Sequence, residues 1–155
     1  MKRLTKFTSG ALAASMLLAG AASAGDMTLT EQDATPLTEA AIGQPYWMLQ
    51  AQCAGLFGAT ANYRTEQSQS RGAQKAAGQD VGRGTAFLND AVARIRADRQ
   101  LDYDTAMSTL VPVVQLGRSK ARDALSMGST GPKSRWNYER SFCMDVADAY
   151  RSRNG

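Results

Sequence analysis

The sequence contains no histidine. That absence excludes Ser-His-Asp and Cys-His catalysis, His-ligated haem and the Glu-x-x-His motif of di-iron bundles. Glutamate is scarce: Glu31, Glu39, Glu66 and Glu139 are spread along the chain, and no carboxylate cluster is visible. Cysteine occurs twice, at Cys53 and Cys143, with no C-x-x-C spacing. A thioredoxin-like redox site and c-type haem attachment are therefore excluded, and two cysteines without histidine make a poor zinc site. Residues Gly128 to Ser134 superficially suggest a phosphate loop, but Pro132 separates Gly131 from Lys133 and breaks the G-x-x-x-x-G-K-[ST] pattern. Asp102 and Asp104 are paired beside a helix start, where capping explains them more simply than acid–base work. The expectation is a protein that is not an enzyme, with no catalytic residues, no cofactor and no metal.

Long apolar runs are also missing, except for one at the N-terminus. Lys2, Arg3 and Lys6 precede the twelve apolar and small residues from Ala11 to Ala22, and Ala22-Ser23-Ala24 fits the small-x-small cleavage rule. This is the pattern of a secretory signal, cut between Ala24 and Gly25. The run is too short for a membrane anchor, which needs about 20 residues. Residues 1–24 are thus expected to be removed, and the mature chain is expected to have no membrane span and to work in the periplasm or outside the cell.

Removing that segment leaves 131 of the 155 residues, about one domain. The net charge drops from +4 to +1, because three of the 18 basic side chains lie in the signal. The high pI is then poor grounds for nucleic-acid binding, and none is expected. The remaining charge is uneven: residues 25–80 carry −3 and residues 81–155 carry +4, with ten arginines among the twelve basic side chains of the second part. A solvated mixed-charge helical surface accounts for this, and an acidic partner surface is the sharper alternative.

In an oxidising compartment an isolated cysteine pair reads as a disulfide. A Cys53–Cys143 bond would close a loop of 91 residues and contribute roughly 4–5 kcal/mol through chain entropy.

Residues 25–44 read as a polar, partly ordered arm with a short helical turn near Leu37–Ile42. Residues 45–155 form the helical domain, with four segments of helical periodicity. The first opens at Pro45, suited to a first turn, and its stripe is Tyr46, Leu49, Cys53, Leu56, Thr60 and Tyr63. The second carries Ala77, Val81, Gly84, Leu88, Ala91 and Ile95. The third starts near Asp102 or Asp104 and carries Tyr103, Met107, Leu110, Val114, Ala121 and Leu125. Pro112 is expected to kink or interrupt it, and Gly117 to weaken it. The fourth has Pro132 in its first turn and carries Trp136, Arg140, Cys143, Ala147 and Tyr150.

Four such segments without strand patterning predict an all-α fold, an up-down four-helix bundle stapled by one disulfide between the first and fourth helices. The register agrees. In antiparallel first and fourth helices each cysteine lies about 12 Å from the same end. The same layout places Trp47 near Tyr150 and Trp136 near Tyr63.

Two features could carry binding. Gly78, Gly82 and Ala86 form a small-residue face, readable as a broken helix near 82–84, as close packing or as a shallow groove. Arg94, Arg96 and Arg99 cluster at the end of the second helix, and Arg118 and Arg122 on the third. Helix C-termini favour cations, and Asp90 is placed to pair with Arg94.

In compartment and class the chain resembles other small exported helical proteins held by one disulfide, periplasmic acid-stress chaperones among them. Its far wider cysteine spacing and lack of a Lys-rich tail set it apart. The leading expectation is a non-enzymatic periplasmic protein acting through an envelope protein partner, as adaptor, chaperone-like factor or inhibitor. The alternative is a carrier binding a small molecule between helices.

Overall fold

A computed structural model of the chain describes Thr28, residues 41–128 and residues 130–154, with side chains through Arg151. The signal segment, the Ala24–Gly25 cleavage point and most of the 25–44 arm lie outside the described residues. What is described of the arm is an isolated bridge between Thr28 and Pro45 and the buried Ala41, whose carbonyl accepts from Gln44 N at 3.0 Å.

Four helices follow: α1 (Tyr46–Gln67), α2 (Arg71–Arg99), α3 (Tyr103–Ser126) and α4 (Arg135–Asn154). Their starts have local causes. Pro45 stands one residue before α1, and its carbonyl accepts from Met48 N and Leu49 N. Ser70 caps α2 by accepting from Ala73 N, which is why that helix begins six residues before the apolar pattern does. Asp102 caps α3, accepting from Thr105 N at 2.9 Å and from the Thr105 hydroxyl at 2.8 Å. Those two bonds hold its carboxyl below the usual carboxylate range. Ser134 Oγ accepts from Asn137 N at the start of α4, so Pro132 lies in the preceding turn rather than inside the helix. Gly128 ends α3 with φ +73° and an N–H bond to Leu125 O, a left-handed geometry suited to glycine.

The helices form an up-down-up-down bundle with α1 as its axis. Helix α1 packs along its length against α2 and α3 and, over a shorter stretch, against α4; the other helices touch one another only locally. The reason is compositional. Residues 46–63 contain no charged side chain, and buried positions lie all around α1. A helix that is apolar on every side belongs in the interior. The stripe from Tyr46 to Thr60 is the face turned toward α4, where Tyr46 meets Tyr150 with ring centroids 5.7 Å apart. Cys53 bonds Cys143 with Cα atoms 5.5 Å apart, and Thr60 Oγ1 accepts from Trp136 Nε1 at 2.9 Å. The disulfide and the antiparallel register of α1 and α4 are as expected.

A second face of α1 meets α2, with Phe57 stacked on Phe87. A third meets α3 almost backbone to backbone. A methyl group on Gly117 would lie 2.0 Å from Gln52 O, and one on Gly55 would lie 2.1 Å from Val114 O. Only glycine permits that approach. Gly117 is therefore the closest packing point of α3, not its weak point.

Other expectations are corrected. Trp47 packs with Ala91, Ile95 and Leu110 and lies under the Arg99 guanidinium at 4.9 Å; it is Tyr46 that meets Tyr150, because positions 46 and 47 differ by about 100° around a helix. Pro112 does not interrupt α3, which runs unbroken past it; Pro112 and Ser108, whose carbonyl loses its partner, are both exposed residues. Helix α2 is likewise unbroken at Gly82–Gly84. Val81 and Tyr103, both read as stripe residues, are more than half exposed. Trp136 does pack with Leu125 beside Tyr63.

One buried carboxylate is fully served. Asp80 receives Arg64 Nε at 2.7 Å and Arg83 at 3.3 Å. One buried amide is not: both polar atoms of the Gln50 side chain are inaccessible and have no hydrogen-bond partner among the described residues. Gln50 lies four residues after Tyr46, which meets α4, and four before Ala54, which meets Gly84 of α2. It therefore faces the seam between α2 and α4.

Candidate functional site

The five arginines fall into two groups. Arg94, Arg96 and Arg99 serve the end of α2. Arg94 pairs with Asp98 at 2.7 Å, and the Asp98 side chain is almost completely buried. That bond holds the Arg94 guanidinium above its already high ordinary value. Arg96 Nε donates to Leu101 O at 3.4 Å, and Arg99 covers Trp47. These contacts stabilise a helix C-terminus and its turn. The expected Asp90–Arg94 pair does not form, because Arg94 turns to Asp98 one turn further on. Asp90 has no ion pair with a described residue, and partial burial pushes its carboxyl up.

Arg118 and Arg122 stand apart from these, halfway up and toward the far end of α3. Both are exposed, and neither has a hydrogen bond or ion pair with a described residue. Arg118 adjoins a cavity of 240 Å³ between α2 and α3, walled by Leu88, Met107, Leu110, Val111 and Val114. Val111 is 52% exposed, and Val81, two turns before Leu88 on the same side of α2, is 55% exposed. A groove with apolar walls and one cation beside it, Arg118, which is unpaired among the described residues, is thus present on the α2–α3 face; Arg122 lies further along α3, beside Tyr63 and Glu66 of α1.

The small-residue face of α2 separates into parts. A methyl group on Gly78 or Gly82 would meet nothing within 4 Å, so neither packs closely. Gly84 does, where a methyl would lie 3.2 Å from Ala54 O. The close-packing reading of the Gly78–Gly82–Ala86 face is therefore not met; the close approach falls at Gly84, on the core stripe.

A second cavity, also of 240 Å³, lies where α3 and α4 diverge over α1. The disulfide, Leu49, Leu56 and Phe142 form its apolar part; Gln52, Lys120 and Glu139 supply polar groups. Lys120 Nζ donates to Gln52 Oε1 at 3.1 Å. Glu139 has Arg135 at 4.0 Å, the outer limit of an ion pair. Sequence reasoning missed this cleft. The signal that would have found it is the spacing Ala51, Gly55, Ala59 on α1 and Gly117, Ala121 on α3: small residues at i, i+4 draw two backbones together, while α4 meets α1 and α3 over shorter stretches.

Among the described residues no three acidic or cysteine side chains converge to hold a metal ion, and no described helix is long and apolar enough to cross a membrane. Comparisons with protein-family models, with curated proteins and with solved structures find no match to this chain.

Proposed function

We propose that the chain is an exported, non-enzymatic protein of the periplasm that acts by binding an envelope protein, as adaptor, chaperone-like factor or inhibitor. The observation that carries this reading is the α2–α3 face: exposed Val111 borders an apolar cavity beside Arg118, which has no partner among the described residues, and exposed Val81 lies two turns before Leu88 on the same side of α2. Surfaces of this kind, an apolar centre with cationic edges, are those by which proteins meet other proteins. Export is supported by the signal-like first 24 residues and by a disulfide, which persists in oxidising compartments.

The test is site-specific photo-crosslinking in cells from Val81 and Val111, with Thr65 and Gln79 as positions away from the groove. A discrete adduct from the groove positions, lost with Arg118→Glu, is the expected result. Recovery of uncrosslinked monomer from every position would overturn the reading. Export is checked separately by the N-terminal residue of the mature protein, expected to be Gly25.

A second reading, a small-molecule carrier, is favoured by a different observation: the cleft over the disulfide, which combines an apolar floor with opposite charges. Native mass spectrometry of protein isolated from its own compartment is expected to show extra bound mass in that case.

A further inference from the structure

We infer that the cleft between α3 and α4 is a binding site for a small zwitterion with an apolar side chain, of the size and class of a free amino acid such as leucine or phenylalanine. This inference rests on the carrier reading and names its ligand class.

The first ground is charge. Lys120 on α3 and Glu139 on α4 line one small cavity, yet they do not close on each other, since no N–O distance between them is within 4.0 Å. Neither has an ion pair closer than 4.0 Å with a described residue. The hydrogen-bond partner of Lys120 is the neutral Gln52 amide, and the cation nearest Glu139 is Arg135 at the edge of pairing distance. A ligand with one charge would match one pole and be repelled by the other, and an uncharged apolar ligand would strip water from both without replacing its hydrogen bonds. A carboxylate directed to Lys120 together with an ammonium directed to Glu139 satisfies both poles.

The second ground is shape. Leu49, Leu56 and Phe142 give the cleft an apolar floor, which favours an apolar side chain over glycine. The volume of 240 Å³ falls just below the range of about 300–1,000 Å³ typical of sites for drug-sized ligands, leaving room for a compact molecule. Gly117 lets α3 close on the α1 backbone at Gln52, which forms the inner wall of the cleft. The Cys53–Cys143 bond lies in the cleft itself and fixes α4 against α1, so the oxidised protein holds the site ready.

Titration calorimetry and chemical-shift mapping on the oxidised protein test this, with free L-leucine and L-phenylalanine as ligands, leucinamide as the cation-only probe and N-acetyl-leucine as the anion-only probe. The expected result is saturable binding of the free amino acids, with shifts centred on Leu49, Lys120 and Phe142. Lys120→Gln and Glu139→Gln are each expected to weaken it about tenfold or more, and the two single-charge probes are expected to bind at least about tenfold more weakly. Lys133→Gln, in the loop before α4, leaves binding unchanged. Circular dichroism confirms that each variant is folded. Absence of saturable binding by either amino acid at millimolar concentration, equal binding of leucinamide, or indifference to both cleft substitutions would each overturn the inference. Native mass spectrometry separates the two levels: a bound small molecule insensitive to Lys120→Gln and Glu139→Gln overturns the zwitterion while the carrier reading stands, and a protein found empty that also ignores both amino acids overturns both.

Discussion

Helices α3 and α4 both lie against α1, and they are held there by opposite means. The α1–α3 seam works by omission. Gly55 and Gly117 carry no side chain where the helices cross, and Ala51, Ala59 and Ala121 continue the same thin seam. Close approach replaces large side chains with extended backbone contact, in which many small dispersion terms accumulate. The α1–α4 seam works by addition. A disulfide, an edge-on tyrosine pair and a tryptophan-to-threonine hydrogen bond link helices that touch over a shorter stretch, and a buried amide without a partner among the described residues lies at its edge with α2. The first seam is continuous and intolerant of a single methyl group. The second depends on a few strong links with gaps between them, and the cleft beside the disulfide is one of those gaps.

Breaking the strongest link should have the largest effect. Replacing both cysteines, Cys53→Ala with Cys143→Ala, is expected to cost about 4 kcal/mol, the stabilisation ordinarily given by closing so long a loop. Chemical denaturation should show it. Gly117→Ala comes next. Its new methyl group would sit 2.0 Å from Gln52 O and 2.7 Å from Gln52 C, both backbone atoms that cannot rotate away. The expected cost is about 3 kcal/mol, seen as a fall in melting temperature of roughly 10 °C. If Gly117→Ala left the protein as stable as before, the seam would not be as tight as described.

Gln50→Leu should act in the opposite direction. It removes two buried polar atoms that have no partner while keeping the volume, and a stabilisation of about 1 kcal/mol is expected by the same denaturation measurement. The smallest effect belongs to Gly82→Ala. Its methyl group would meet nothing within 4 Å, so only the helix propensity changes, for a gain of about 0.5–1 kcal/mol. Two glycine-to-alanine changes with opposite signs would show that packing, not propensity, decides the role of each glycine.

Much of the bundle was legible because it rests on periodicity. The α4-facing stripe of α1 and the level of the two cysteines follow from 3.6-residue spacing, and Asp102 follows from capping preference. What was not legible concerns the other faces of α1. A stripe search finds one apolar face and stops, whereas the feature that places α1 at the centre is the lack of charge from 46 to 63 on every side. The same bias misreads glycine. Gly78 and Gly82 share a regular i, i+4 spacing but are open to solvent, while Gly55, Gly84 and Gly117 lie on core faces and pack closely. Propensity marks a mid-helix glycine as a cost, and only the partner backbone shows what it permits. Among the arginines, Arg94 to Arg99 were explicable by helix-end electrostatics alone, and they serve that end. The isolation of Arg118 and Arg122 depends on which side chains surround them, which sequence spacing does not specify.

The contrast between the two seams is tested most directly by amide hydrogen exchange on the Cys53→Ala/Cys143→Ala variant, compared with the oxidised protein under native conditions. If α4 is held chiefly by its few strong links, exchange should accelerate selectively across residues 135–151, while the buried amides of α1, α2 and α3 around Phe57, Ile95 and Leu110 keep the highest protection in the variant. Equal acceleration in all four helices, or an α4 as protected as the α1–α3 seam, would contradict it.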